Sequence, residues 1–532
     1  MPASKSLYQK VGIASLIMMA SVFLSRVIGL FREMVIASAD GVSASVDAYQ
    51  IAFVLPEILN HIVASGFLSV VFIPIFSHYL AENRETDGWK VFSIVLNGFG
   101  SLLLILIILG EWFTPELIGI LAPGIKDPLV KTDAIYMTRI ILPAQFFFFT
   151  GGMLSAVQFA KEKFAVPALA PLFYNIGIIV GGIMLHNRFG MAGFSWGVLA
   201  GSFIGNFVLQ VWGAKRVGMK FSFIFDFNHP DFRKYILLTL PLMLGLTMTF
   251  STEFFLKFFG SFLPEGSIAA LNYSLRVMLM LVGFFGQAVG VASFPFMARL
   301  AAENKIAEMN RLLNDTLRYL ALVIPFSVLF MVLRHEVILI LFQRGQFDAT
   351  ATALTSNVLV YIMVGAFAFA AQTVVVRGFF AIQNTLFPAI YGTIAVVLSL
   401  PLYYFGMQRM GAPGVALAVS LAAIIQVLML YTIWNKKSRN IEYPKVRKFY
   451  FKIILLSVVM GLCLEWFRKT ALANINAMTM PGSFLVCLII GTIFIALFIS
   501  ASHILGISEI SYLLQRVRNK LFKKNQSVRS NG

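Results

Sequence analysis

Charge is scarce in this chain: Asp, Glu, Lys and Arg make up 12% of 532 residues, while 59% are hydrophobic. An ordinary soluble domain carries about twice that charge, so too little polar surface exists to clothe a particle in water. Cysteine is nearly absent. Cys463 and Cys487 both lie in apolar segments, which excludes a disulfide-stapled scaffold and a zinc site. The six His are scattered without an H-E-x-x-H pairing, and no Walker-type loop is present. Gly193-Phe194-Ser195-Trp196-Gly197 fits the nucleophile-elbow pattern, but it opens an apolar helix rather than a strand-to-helix turn. With Gly201 and Gly205 continuing at four-residue spacing, it reads as small-residue helix packing. Acids are the scarcer charge, 24 against 42 Lys and Arg, for a net +18. The basic residues sit mostly in short connections between apolar runs, so nucleic acid is not the expected partner.

Long apolar runs dominate what is present. A helix needs roughly 20 apolar residues to cross a bilayer, and fourteen such stretches are legible, from 12–37 and 47–78 to 449–466 and 481–504. The fold class is an all-α polytopic membrane protein. Arg26 and Arg32 follow the N-terminal lysines within one helix, which argues against a cleaved signal peptide. Lys and Arg concentrate on the side of the N-terminus and of every second connection, notably around Lys215, Lys436 and Arg516. That asymmetry places both termini in the cytoplasm. Residues 508–532 read as a basic amphipathic tail on anionic headgroups, with Ile510, Leu514, Val517 and Leu521 at helical spacing.

An internal repeat appears at an offset of 221 residues. Pro74 falls on Pro295, Ala81-Glu82-Asn83 on Ala302-Glu303-Asn304, Gly124 on Gly345, and Gly190 on Gly411. The matches fall on helix breakers and turn edges, where the backbone restricts residue choice. Spans one to six map onto spans seven to twelve, so both halves enter the membrane from the same side. The expected organisation is an N-lobe at 1–220 and a C-lobe at 221–440, flanking a cleft suited to alternating access. Two added spans follow at 441–507, then the tail.

Arginine near mid-bilayer costs at least roughly 2.5–3.5 kcal/mol, so Arg26 and Arg32 in span one and Arg276 in span eight each call for a wet cavity or a partner. Their planar forks suit a phosphate-bearing headgroup. Glu33, Asp47, Glu57 and Glu253 are the acidic counterparts. Arg139 and Arg377 lie nearer span ends, where snorkelling explains them better.

Ser25-Arg26-Val27-Ile28-Gly29-Leu30-Phe31-Arg32-Glu33 followed by Asp47-Ala48-Tyr49 resembles the start of MurJ/MviN proteins, lipid II flippases of the MOP exporter superfamily. Phe72-Ile73-Pro74, Ala122-Pro123-Gly124, Pro167 to Asn175, Leu341 to Phe347 and Arg377-Gly378-Phe379-Phe380-Ala381 extend the resemblance over nearly all of 10–435. It implies a MATE-like flippase, not an enzyme, that carries undecaprenyl-pyrophosphate-linked disaccharide-pentapeptide to the outer leaflet of the bacterial inner membrane for peptidoglycan synthesis. It also implies that Arg26, Arg32 and Arg276 hold the pyrophosphate, and that the last two spans form a groove for the lipid tail. Partners would be lipid II, membrane lipids and cell-wall synthesis proteins.

The chain departs from the family's pattern at three places. Asn60-His61 stands where many members carry a basic pair, Leu275 where a polar group is common, and Asn384-Thr385 where Asp-Thr is common. Asn60 and His61, with Glu33 and Asp47, are secondary site candidates. No cofactor is expected, and Na+, H+ or the membrane potential is left open as the driver. With three arginines alone, binding neutralises the cavity and an inside-negative potential favours return of the emptied, cationic carrier. The alternatives are a flippase for another polyprenyl-linked saccharide, a MATE-like exporter, or a membrane scaffold without transport.

Overall fold

The computed structural model describes residues 7–61, 67–244 and 247–504. Its regular elements are helical throughout, since lipid leaves backbone groups no partner outside their own segment. Among the described residues, ten helices are long and apolar enough to cross a bilayer, or eleven once Ala349–Met363 and Ala366–Ala381 count as one bent span. The other three expected spans fall on the first helix, Leu7–Asp40, and on two sets of shorter described helices. One runs through Ala44–Ala52, Val54–Leu59 and Phe67–Ala81, and the other through Pro230–Leu244 and Thr247–Gly260. The total of fourteen therefore stays an expectation. The basic tail at 508–532 lies outside the described residues.

The bent span shows how a kink is accommodated. Its halves differ by 43° at Gly365, where an added Cβ would stand 2.7 Å from the Cα of Ser420. The Ser420 hydroxyl bonds the carbonyls of Tyr361 and Ile362, at 2.7 and 3.0 Å. A neighbouring helix thus satisfies the backbone groups that the bend loosens.

The repeat is visible in backbone geometry. Left-handed residues recur at the sequence offset: Asn83 and Asn304 at φ 59° and 56°, Glu162 and Gln383 at 57° and 56°, Gly190 and Gly411 at 55° and 63°. Gly218 at φ 88° matches Arg439 at 50°. Helix ends close alike as well, with the N–H of Arg84 on Tyr79 O and that of Lys305 on Leu300 O, both 2.9 Å. Lys163 to Gln158 repeats as Asn384 to Phe379, and Met219 to Ala214 as Asn440 to Asn435. These are Schellman-type endings, kept although the side chains differ.

By contacts the described chain forms two compact units. One runs to Arg276 and adds Phe342–Leu354 and Gly392–Val415. Its core is aromatic, with Phe72, Phe76, Trp89, Phe92, Phe99 and Tyr235 meeting mostly edge to face. In it, helices Ala165–Phe189 and Ala192–Ser202 approach backbone to backbone: a Cβ on Gly177 or Gly181 would lie 2.4 Å from the Cα of Gly201 or Gly197. Ser195 is fully buried in that contact, so the elbow-like motif is helix packing. The other unit comprises Val277–Leu341, Thr355–Tyr391 and the chain from Ala416. In it the last helices, Tyr443–Ala471 and Met480–Ile504, pack on Val323–Val332 through Phe326, Phe494 and Phe498. An ion pair from Arg468 to the fully buried Glu336, at 2.8 Å, joins Tyr443–Ala471 to Arg334–Phe342, the helix that follows Val323–Val332.

Candidate substrate site

The first unit gathers charge from helices distant in sequence. On Leu7–Asp40, Arg32 donates to its neighbour Glu33 and, at 3.0 Å, to the side-chain oxygen of Asn175. Asn175 is anchored in turn to Ser25 Oγ and to Pro171 O, at 3.3 and 2.9 Å. The Ser25-to-Glu33 motif and the Pro167-to-Asn175 motif therefore form one polar structure. Arg276, on Ser267–Val282, reaches the same Glu33 at 3.9 Å and Glu253 at 3.4 Å. Glu33 thus stands between two guanidinium groups with its side chain only 4% exposed.

A third cation completes the cluster. Lys257, one turn beyond Glu253 on Thr247–Gly260, lies 3.1 Å from Glu57 Oε2. Glu253 is within electrostatic reach of Arg276, Lys257, His61 and Arg32. Arg32, Arg276 and Lys257 are therefore met by Glu33, Glu253 and Glu57, three cations against three carboxylates. Lys257 was not among the sequence candidates because it falls just past the apolar run of span seven. Its spacing of four from Glu253 was the available signal.

The other candidates divide by location. Arg26 is exposed on the first helix beside exposed Phe23 and Val27. Asn60 is half-buried, and His61 places Nδ1 2.7 Å from Glu57 O. Asp47 is used structurally. Its carboxylate accepts the backbone N–H of Gly266 and of Ala269, both at 2.7 Å, and so caps the helix that carries Arg276. Arg139 donates to Glu111 O at 3.2 Å near a helix end. Arg377 lies against Gly290, where an added Cβ would stand 3.0 Å from its Nη1.

Backbone contacts surround the Asp47 cap. Gln346 N–H bonds Ser38 O at 3.0 Å, and Tyr273 Oη bonds Gly41 O at 3.2 Å. A Cβ on Gly345 would sit 2.2 Å from Ser38 O, one on Gly41 2.4 Å from Gln346 O, and one on Gly266 2.6 Å from Val42. All three glycines have positive φ. The residues form a latch that fixes the C-terminal end of the first helix against the loop at 343–347.

A family model described as lipid II flippase MurJ matches residues 36–486. The chain belongs to the MurJ family. It is 27% identical to the probable lipid II flippase MurJ of Buchnera aphidicola subsp. Baizongia pistaciae, covering 85% of this chain and 89% of that one. Its identity to the corresponding protein of Thermotoga maritima is also 27%, over 93% and 96%. Among solved structures, a lipid II flippase MurJ in an inward closed conformation superposes with a TM-score of 0.74 at 27% identity, covering 91% of this chain and 98% of that one. An inward-facing MATE family multidrug transporter of the MOP superfamily shares the fold, at a TM-score of 0.66 and 14% identity over 80% and 96%. The all-helical fold of MurJ, shared with MATE transporters, is thus established for this polytopic membrane protein.

Proposed function

We propose that this protein flips lipid II from the cytoplasmic to the outer leaflet of the bacterial plasma membrane by alternating access, its two repeats rocking about the site. Family membership supports the substrate. The observation that carries the mechanism is the convergence of Arg32 and Arg276 on one nearly buried carboxylate. A pyrophosphate offers the acceptor oxygens that Glu33 and Glu253 supply in the empty site, with more charge and bidentate geometry. Binding is then an exchange of anions around fixed guanidinium groups. Arg26 would extend the site along the first helix, and the pair Tyr443–Ala471 and Met480–Ile504 would guide the polyprenyl tail.

The balanced cluster changes where voltage acts. An emptied site of three cations and three carboxylates is formally neutral, so bound pyrophosphate makes the loaded site negative. An inside-negative potential then drives the loaded, outward step at roughly 2.3 kcal/mol per charge per 100 mV. A cavity with arginines alone would instead place the voltage dependence on the return. The carboxylates do not favour a cation exporter, because each is engaged by Arg or Lys. We place both termini in the cytoplasm, on the charge asymmetry of the connections.

Complementation of a strain depleted of its own lipid II flippase, together with lipid II translocation in reconstituted vesicles, tests this reading. Growth and transport are expected. A chain that inserts normally but supports neither would refute it.

A further inference from the structure

A lysine ammonium 4% exposed is an anomaly on a helix whose other faces carry Phe254, Phe255, Phe258 and Phe259. Structural need does not explain it: replacing a buried ion pair by apolar residues of similar volume is often neutral or stabilising. Its place is informative. Lys257 binds Glu57, and Glu57 lies one turn before Asn60 and His61, the positions where the family resemblance leads one to expect a basic pair. Lys257 also lies one turn from Glu253, the carboxylate that engages Arg276. An ammonium from span seven thus stands beside the part of span two that lacks its cations.

We propose that Lys257 is a further pyrophosphate-binding cation, supplied by span seven in place of the missing basic pair of span two. Glu57 is its counter-ion while the site is empty. Glu57 is the more open member of the pair, 26% exposed against 4%, so it is the side chain that yields. The incoming phosphate oxygen takes its place on the ammonium. Arg32 and Arg276 approach from Leu7–Asp40 and Ser267–Val282, and Lys257 from Thr247–Gly260, so the three cations converge on the headgroup from three different helices. This inference rests on the pyrophosphate reading of the arginines.

The test compares Lys257→Met, Glu57→Met, the double Glu57→Met/Lys257→Met, and Lys257→Met/Asn60→Arg, all as full chains in vesicles with lipid II. Lys257→Met is expected to raise the half-saturating lipid II concentration about tenfold, the scale of one charge-assisted hydrogen bond. The double variant, which leaves no buried charge unpaired, should fold as well as the parent by thermal unfolding yet bind as weakly as Lys257→Met. Asn60→Arg should restore affinity in the Lys257→Met background. Parental affinity in the double variant would show the pair to be structural and overturn the proposal, as would failure of Asn60→Arg to restore binding. Arg276→Ala in the same vesicles separates the two levels: normal transport there refutes the arginine site itself, whatever Lys257 does.

Discussion

Arg32 and Glu253 stand 221 residues apart, the offset of the internal repeat, and so bring opposite charges from matching positions of the two halves into one cluster. Duplication alone would have produced like charges there and mutual repulsion. Divergence at this position gives the site its balance.

That balance makes Glu253 a competitor of the substrate for Arg276. Glu253→Gln should lower the half-saturating lipid II concentration in vesicles, because the guanidinium is no longer shared with a full negative charge. Maximal turnover should fall, since release becomes slower. An unchanged half-saturation would show that Glu253 and pyrophosphate do not compete.

Asp47 holds the N-terminus of the helix carrying Arg276. Asp47→Ala removes two charge-assisted bonds and should destabilise the latch by about 1–2 kcal/mol. Asp47→Asn should cost less, because its amide oxygen still accepts. Thermal unfolding, together with thiol accessibility of a Val42→Cys reporter, measures both, and equal effects from the two variants would show that a neutral acceptor contributes nothing and that the charge alone holds the cap.

Gly345→Ala and Gly41→Ala each force a methyl into a carbonyl at a backbone angle unfavourable for L-residues, at roughly 1–2 kcal/mol for the angle alone. Transport should fall sharply in both. As a control, Gly152→Ala meets open space and should be silent apart from its helix propensity. Parental rates in both latch variants would count against the latch as part of the cycle.

In the second unit, Arg468→Met strands Glu336, whose side chain is fully buried. About 3–5 kcal/mol of stability should be lost, with the last two helices loosened most. Glu336→Met/Arg468→Met should recover most of it. Hydrogen exchange across 443–504 would locate the change, and a uniform loss across the chain would refute the local assignment.

Much of this was legible in the sequence. Apolar run length gave the fold class, and breakers at a fixed offset gave the repeat that the left-handed turns display. Arg32 and Arg276 were marked by their cost in lipid. Pairing was not legible, because ion pairs between helices depend on axial register, which no local pattern encodes. Asp47 shows this plainly: it caps a helix more than 200 residues later in the chain. Lys257 was hidden for a simpler reason, lying one residue beyond an apolar boundary that cannot be set that finely from composition.

The latch has a further consequence. Apart from Asp47, its members meet through neutral groups, namely backbone amides and carbonyls, glycines and the Tyr273 hydroxyl, so dissolved ions have almost nothing there to screen. The site cluster is built of full charges and feels the surrounding electrolyte. Raising ionic strength should therefore weaken the grip on the headgroup while leaving the resting conformation in place, separating affinity from gating without any mutation.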